Sequence, residues 1–202
     1  MHNMRYIGNK ESIIEKIYAI LQKNGVSGKS VFDFFAGTAN VGKFFKANGF
    51  QVCSSDFLYF SYCLQKAYIE NASEPTFAAM PLSSAQTGEL FSSPLETVVN
   101  YLNALDGVEG FIYKNYTPDG TKDLAKPRMY FTSENGKKID AIRLQIEEWK
   151  HKKLINESEY FVLLACLVET IGFYANIAGV YAAFINGVQS LFLFKIIIRK
   201  QS

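Results

Sequence analysis

Between positions 11 and 22 apolar residues return every three or four places. Ile13, Ile14, Ile17, Ile20 and Leu21 therefore share one face of an amphipathic helix. Asn24-Gly25 and Ser27-Gly28 end it. The period then changes. Val31–Phe35 is a short apolar run interrupted by Asp33, and reads as a strand. Asn40 to Asn48 returns to helical spacing, with Val41, Phe44 and Phe45 inward and Gly49 as the stop. Phe50–Ser54 reads as a second strand, and residues 57–69, rich in Phe, Leu and Tyr, as a buried helix.

The middle of the chain is patterned differently. Residues 72–93 carry Ser, Ala and Pro with weak periodicity. Ser93-Pro94-Leu95-Glu96 is a helix start with Ser as N-cap, Pro in the first turn and Glu at the third position. Val98, Val99, Leu102 and Leu105 form its stripe, and Thr117–Gly120 is a turn. Asn135-Gly136 is compatible with a hairpin turn. Ile139, Ile142, Ile146 and Trp149 nevertheless recur at helical spacing, which favours one long helix over about 133–152. Gly136 inside it lowers helix propensity by about 1 kcal/mol. Asn156-Glu-Ser-Glu159 caps a further helix that stays apolar to about 171. The order of elements predicts an α/β nucleotide-binding core over 1–71 and a mostly helical insertion over 72–155. A helix returning to the core over 156–184 and a tail over 185–202 follow.

Composition narrows this only slightly. A chain of 202 residues, 49% apolar, is one domain or one domain with an inserted lobe. Net charge is +2, and residues 1–60 hold seven Lys/Arg against four Asp/Glu. That bias permits a nucleic-acid partner and equally fits an ordinary solvated surface. Cys53, Cys63 and Cys166 have no pairing or metal spacing and read as reduced thiols of a cytoplasmic protein. His2 is terminal and His151 lies within Lys150–Lys153, so zinc sites and histidine-based triads are poor candidates. The first residues lack the apolar core of a signal peptide. Leu191–Ile198, interrupted by Lys195, is far shorter than the ~20 residues that span a bilayer.

The chemistry concentrates in Val31–Gly42, where a strand enters a small-residue turn and then a helix, with Asp56 19 positions after Gly37. Small residues let a backbone approach a ligand, and a helix N-terminus offers free N–H groups. An acid ending the second strand can accept ribose hydroxyls. With glycines at 37 and 42 and Ala39 between them, the loop is an imperfect dinucleotide fingerprint, and suits S-adenosylmethionine better.

Arg5-Tyr-Ile-Gly-Asn-Lys10, Asp33–Gly42 and Ser54-Ser-Asp56, taken in order, resemble the Dam-like adenine-specific DNA methyltransferases. Arg128-Met-Tyr-Phe-Thr132 and Lys138–Arg143 resemble that family's inserted region. The resemblance covers roughly 4–184 and implies a partial Rossmann-like methyltransferase sheet with a mostly helical inserted lobe that recognises double-stranded DNA. It implies S-adenosylmethionine as cofactor. Tyr6, Gly8 and Lys10 would close one side of its pocket, with Lys10 near the methionine carboxylate. Asp33, Phe35, Ala36 and Gly37 would line the methionine and sugar side, and Asp56 would take the ribose hydroxyls. On the residues alone Tyr6 also reads as core, Lys10 as surface and Asp56 as the N-cap of the next helix. Ala39 stands where the family has glycine, and its methyl would crowd the loop. Arg128, Lys137, Arg143 and the Lys150–Lys153 cluster are candidate phosphate contacts; a solvated helix face is an equal reading.

The family's catalytic motif, Asp-Pro-Pro-Tyr or a close variant, orients a flipped adenine's amino group toward the sulfonium methyl. This sequence has prolines only at 75, 81, 94, 118 and 127, and no two are adjacent. In the family the motif follows the segment resembled by Ala175–Phe184. Beyond it, Ile185–Ser202 departs from the pattern and reads as a truncated reading frame; a genuine final strand at Leu191–Ile198 is the other reading. The expectation is an adenine-specific, restriction-modification type methyltransferase that is inactive alone, with an incomplete sheet whose exposed edge invites aggregation. A separately encoded remainder is a conceivable partner. The competing readings are a non-catalytic cofactor- or DNA-binding remnant and a nicotinamide-dependent oxidoreductase.

Overall fold

The computed structural model describes residues 8–81, 93–176 and 192–194. The chain divides into two compact units, one ending at Glu74 and the other beginning at Pro75. Tyr6, residues 82–92, residues 177–184 of the return segment and most of the 185–202 tail lie outside the described residues.

The first unit opens with helix α1 (Ile14–Lys23). The apolar stripe forms a helical face as the periodicity requires, yet only Ile14 is fully buried, while Ile13 and Ile20 are exposed. Strand β1 (Ser30–Asp33), helix α2 (Asn40–Ala47) and strand β2 (Gln51–Ser54) follow. The strands are parallel, with Val31 opposite Val52 and Asp33 opposite Ser54. Parallel neighbours need a crossover, and α2 supplies it. The first strand stops at Asp33 rather than Phe35. There Ser55 donates to the Asp33 carbonyl, and Ala36 donates to that of Ser55, turning the chain away from the ladder. Phe34 and Phe35 are consequently exposed loop residues. Helix α3 (Tyr59–Gln65) runs into a π-helical turn at Lys66–Glu70. The Lys46 ammonium donates to the Tyr68 and Asn71 carbonyls at 2.9 and 2.6 Å, satisfying groups that the wider turn frees. Leu64 and Tyr68 of this segment are buried, whereas Phe57, Tyr59 and Tyr62 are exposed, so burial begins a turn later than the apolar run suggests.

The second unit is helical: α4 (Pro94–Ala104), α5 (Phe111–Tyr116), α6 (Ser133–His151) and α7 (Glu157–Tyr174). Reciprocal capping boxes start α4 at Ser93/Glu96 and α7 at Asn156/Glu159. Ile139, Ile142, Ile146 and Trp149 are all buried along α6. Each fully buried isoleucine contributes about 1.5–3 kcal/mol, so the stripe overrides the Asn-Gly turn signal. Gly136 is also required there: a Cβ would lie 2.4 Å from the Thr117 methyl. The helix beginning at Glu157 packs on α6 inside this unit. Its Glu159 serves twice. One carboxylate oxygen closes the α7 capping box on Asn156 N–H at 2.9 Å. The other accepts Phe77 N–H at 2.5 Å, holding that buried phenylalanine at φ +50°.

Residues 192–194 lie within this unit, with Phe192 and Phe194 buried and Leu193 exposed. Their backbone is paired with side-chain amides. Phe192 N–H donates to Asn135, while Asn103 both accepts from and donates to the Phe194 backbone, at 2.8 and 2.9 Å. Among the described residues the sheet has two parallel strands, so what the fold shows is a mixed α/β arrangement with a small parallel sheet. No described helix is long and apolar enough to cross a membrane.

A candidate cofactor cleft and the basic residues of the helical unit

The first unit contains a cleft of about 350 Å³ formed by three segments. Gly8, Asn9 and Lys10 form one wall. Phe35, Ala36, Gly37 and Thr38 leave β1 along a second, continued by Asn40 and Val41 at the start of α2. Asp56, Phe57 and Leu58, after β2, form the third. Six of the eight residues named from sequence thus converge. Tyr6 lies outside the described residues, and Asp33 is not among the lining residues. The pattern did not single out Asn9, Asn40 or Phe57. Asn40 donates its amide to the Asn9 side chain at 2.9 Å, tying the first segment to the N-terminus of α2. Phe57 is 99% exposed, an uncovered aromatic ring at the cleft's edge. Its place directly after Asp56 was the available signal.

The loop is held by Asp56. One carboxylate oxygen accepts Gly37 N–H at 2.8 Å, and the other accepts Leu58 N–H at 2.9 Å. Burial alone would raise this carboxyl, but hydrogen bonds from Leu58, Gly37, Ser61 and Phe57 outweigh it and hold Asp56 below its ordinary value. The N-cap of α3 is Leu58, so Asp56 acts as a cross-link between loops rather than as that helix's cap. Gly37 takes φ +51°, and Ala39, wholly buried at the N-cap of α2, takes φ +59°. The alanine methyl is therefore accommodated in a left-handed conformation that glycine adopts without strain.

Asp33 is the counterpart. Burial pushes its carboxyl up; the charge of Lys10 opposes this, the nearby Asp56 adds a lesser push upward, and the Gly42 N–H a lesser one downward. Its Oδ2 is buried without a hydrogen-bond partner, the only such side-chain atom among the described residues. An orphaned acceptor of this kind is costly unless something donates to it. Lys10, whose charge acts on Asp33, lines the same cleft. The cleft thus combines an anchored acid, a cation and two exposed rings, with the buried Asp33 acid outside its lining.

A family model described as D12 class N6 adenine-specific DNA methyltransferase matches residues 6–201. The chain belongs to this family. It is 40% identical over 187 residues to the type II methyltransferase M.FokI of Planomicrobium okeanokoites, covering 91% of the chain and 27% of that protein. To the type II methyltransferase M.NlaIII of Neisseria lactamica it is 38% identical over 189 residues, covering 92% and 50%. The modification methylase LlaI of Lactococcus lactis subsp. lactis is 36% identical over 181 residues, covering 90% and 27%. The chain spans between about a quarter and a half of the length of these curated relatives. No solved structure matches it. The matched span includes 185–201, which sequence reading set apart.

In this D12-class chain four of the basic residues named as phosphate contacts, Arg128, Lys137, Arg143 and Lys150, have internal partners. Lys137 pairs with Glu109 at 2.8 Å and lies 4.9 Å from the Tyr113 ring. The hydrogen bond between them raises the Lys137 ammonium and lowers the Glu109 carboxyl. Arg143 pairs with Glu147, which also accepts the Tyr160 hydroxyl at 2.5 Å. Lys150 lies 3.8 Å from the centre of the Tyr160 ring. Arg128 uses one guanidinium nitrogen, 3.0 Å from the Asn115 carbonyl, and leaves its other donors exposed.

The Lys138–Arg143 segment is a scaffold as well as a charge source. The Lys138 ammonium donates to the carbonyls of Asn103, at 3.1 Å, and Leu105, where α4 ends. Two residues on, Asp140 accepts Ile112 and Tyr113 N–H at 2.9 and 2.8 Å, where α5 begins. A cation at a C-terminus and an anion at an N-terminus both complement helix dipoles.

Proposed function

We propose that this chain binds S-adenosylmethionine and duplex DNA as part of a site-specific adenine DNA methyltransferase of a restriction-modification system. In that reaction a methyl group passes from the cofactor to the exocyclic amino group of adenine. The observation that carries the reading is the cleft, with Gly37 N–H fixed by Asp56 and the unpaired Asp33 Oδ2 nearby, in a chain of the D12 family.

The cofactor supplies an electrophilic methyl on a sulfonium; everything else here is binding. Asp56 lines the cleft, and to take the ribose hydroxyls its carboxylate would exchange some of the donors it now accepts from Leu58, Gly37, Ser61 and Phe57. Phe57 and Phe35 offer exposed rings to an adenine face. Lys10 holds the methionine carboxylate, and Asp33, whose buried Oδ2 lies outside the cleft's lining, would meet the methionine ammonium only once the Phe35–Gly37 loop shifts to expose it. The β–α–β unit is read as part of a Rossmann-like sheet, whose crevice at the strand ends is where such ligands bind. Three free cysteines accord with a cytoplasmic setting beside the DNA.

The 202 residues contain no adjacent proline pair. They are therefore proposed to bind without transferring the methyl group themselves, a step that needs residues bearing that motif. Calorimetric titration tests the reading directly. S-adenosylmethionine binds, Asp56→Ala weakens it tenfold or more, and the reduced nicotinamide dinucleotide does not bind. Nicotinamide binding without S-adenosylmethionine binding would select the oxidoreductase reading instead.

A further inference from the structure

The first unit holds a second cavity, which shares no residue with the cofactor cleft. It measures about 250 Å³ and lies at the opposite end of the parallel strands. Gly28, Lys29 and Ser30 lead into β1 there, and Phe50 stands just before β2, whereas the cleft is built where both strands end. Helix α1 contributes Tyr18, and α2 contributes Phe45. An engineered apolar cavity of about 150 Å³ is enough for benzene, so this space admits a substituted ring.

Its floor is aromatic. The rings of Tyr18, Phe45 and Phe50 meet edge to face, with centres 5.8 Å apart for Tyr18–Phe45, 5.9 Å for Tyr18–Phe50 and 5.1 Å for Phe45–Phe50. Phe45 is buried, but Tyr18 and Phe50 are only half-buried and keep ring surface for a further partner. The free polar groups around this floor can all donate. The Lys29 ammonium lies 5.2 Å from the centre of the Phe50 ring, and none of the lining residues is acidic. Among the described residues the Tyr18 and Ser30 hydroxyls have no hydrogen-bond partner. The carbonyls that end α1 beside them are already taken, because Gly25 N–H donates to Gln22 at 3.0 Å and Val26 N–H to Leu21 at 3.1 Å.

We propose that this cavity is a binding site for a small planar aromatic carboxylate. The ligand's ring continues the edge-to-face series of Tyr18, Phe45 and Phe50. Its carboxylate takes the Lys29 ammonium in a charge-assisted hydrogen bond, with the neighbouring hydroxyls as further donors. Lys29 beside Phe50 sets a positive charge next to ring surface, and a ligand with a ring next to a negative charge matches both. The site is separate from the cofactor cleft, and its occupancy does not depend on the cofactor reading.

An NMR titration of the isotope-labelled whole chain with benzoate tests it. Benzoate is expected to shift the Gly28, Lys29 and Ser30 amides saturably and to leave the Gly37 amide in place. Benzyl alcohol, the neutral analogue, and hexanoate, the aliphatic acid, are each expected to bind roughly tenfold more weakly. Lys29→Met keeps the stem over Phe50 and removes the charge, so benzoate should fall to the affinity of benzyl alcohol while the alcohol's own affinity stays the same. Phe50→Leu should weaken both ring ligands. Lys29 is exposed, and an unchanged thermal midpoint shows that its variant folds, so the test stands even where Phe50→Leu does not fold. The absence of saturable shifts at Gly28, Lys29 and Ser30 overturns the proposal, as do saturable shifts at Gly37 alone. Equal affinities for benzoate and benzyl alcohol, or for benzoate in wild type and Lys29→Met, remove the carboxylate half of it. Tighter binding of hexanoate than of benzoate overturns the aromatic half and makes this an aliphatic site.

Discussion

The carboxylate of Asp56 reaches back 19 residues to accept the Gly37 main-chain N–H at 2.8 Å. The bond joins the turn after β1 to the turn after β2 and sets the opening of the cleft. Removing it as Asp56→Ala leaves the Gly37 and Leu58 N–H groups without this acceptor, each loss worth about 1–3 kcal/mol where water cannot replace it. Asp56 is only partly buried, so the lower end applies, and the chemical-denaturation midpoint should fall accordingly. The pH dependence has a defined sign. A carboxyl held below its ordinary value of 3.8 stabilises the fold fully above that pH, and the contribution disappears as pH falls through the lower folded value. Wild type should therefore lose stability below about pH 4 in a way that Asp56→Asn does not. Parallel acid limbs for the two proteins would remove Asp56 from this role.

Asp33 predicts the opposite sign. Its carboxyl is raised, chiefly by burial, so the native state holds a proton more tightly than the unfolded chain does. Stability from this group increases as pH falls through the raised value toward 3.8, and is smallest at neutral pH. Asp33→Asn should therefore raise the thermal midpoint of the ligand-free protein at pH 7 while weakening S-adenosylmethionine. That combination is the usual exchange between stability and function at a binding site. Unchanged cofactor affinity in this variant would show that the orphaned oxygen is not aimed at the ligand.

The local parts of this architecture were the readable ones. Both capping boxes, Ser93/Glu96 and Asn156/Glu159, formed where the sequence put them, because such a box needs only residues three apart. The choice of a helix at Asn135-Gly136 was likewise decided by the isoleucine period, but the reason glycine stands there was not legible. It depends on Thr117, outside the helix. The cleft shows the same division. Gly8, Lys10, Ala36, Gly37 and Asp56 lie in short motifs, whereas the Asn9–Asn40 bond spans 31 residues. Charge was the weakest guide. Lys137, Arg143 and Lys150 look free in a one-dimensional count, yet Glu109, Glu147 and Tyr160 meet them in three dimensions. Of these pairs only Arg143–Glu147, at helical i, i+4 spacing, could have been foreseen.

The paired roles of Lys138 and Asp140 give a structural prediction for a segment first noted for its family resemblance. Asp140→Ala removes the acceptor for two amides at the start of α5. Asp140 is only 5% exposed, so water is a poor substitute, and a loss of about 2–4 kcal/mol is expected from two unsatisfied donors. Hydrogen exchange should accelerate first at Ile112 and Tyr113, before global unfolding. Lys138→Met should act instead at the end of α4, around Asn103 and Leu105. Identical exchange patterns for the two variants would contradict separate anchoring of the two helices.

Helix α6 ends in an unusual way that tests the backbone argument alone. Leu154 N–H bonds the Trp149 carbonyl at 2.9 Å and Lys153 N–H bonds that of Lys150 at 3.0 Å, the paired reverse bonds of a Schellman motif. The same bonds close α1 at Gly25 and α2 at Gly49, both at positive φ. In α6 the equivalent residue is Lys153, at φ +56°. An L-residue there bears roughly 1–2 kcal/mol of strain that glycine escapes, against roughly 0.5–1 kcal/mol of added unfolded-state entropy. Lys153→Gly should therefore stabilise the protein by about 0.5–1 kcal/mol, a rise of about 1–4 °C in thermal midpoint for a chain of this size. Lys153→Ala keeps the Cβ and should give no such gain. Equal midpoints for the glycine and alanine variants would mean that the left-handed cap is not a source of strain. A matching drop in DNA affinity for both would instead return Lys153 to the phosphate contacts.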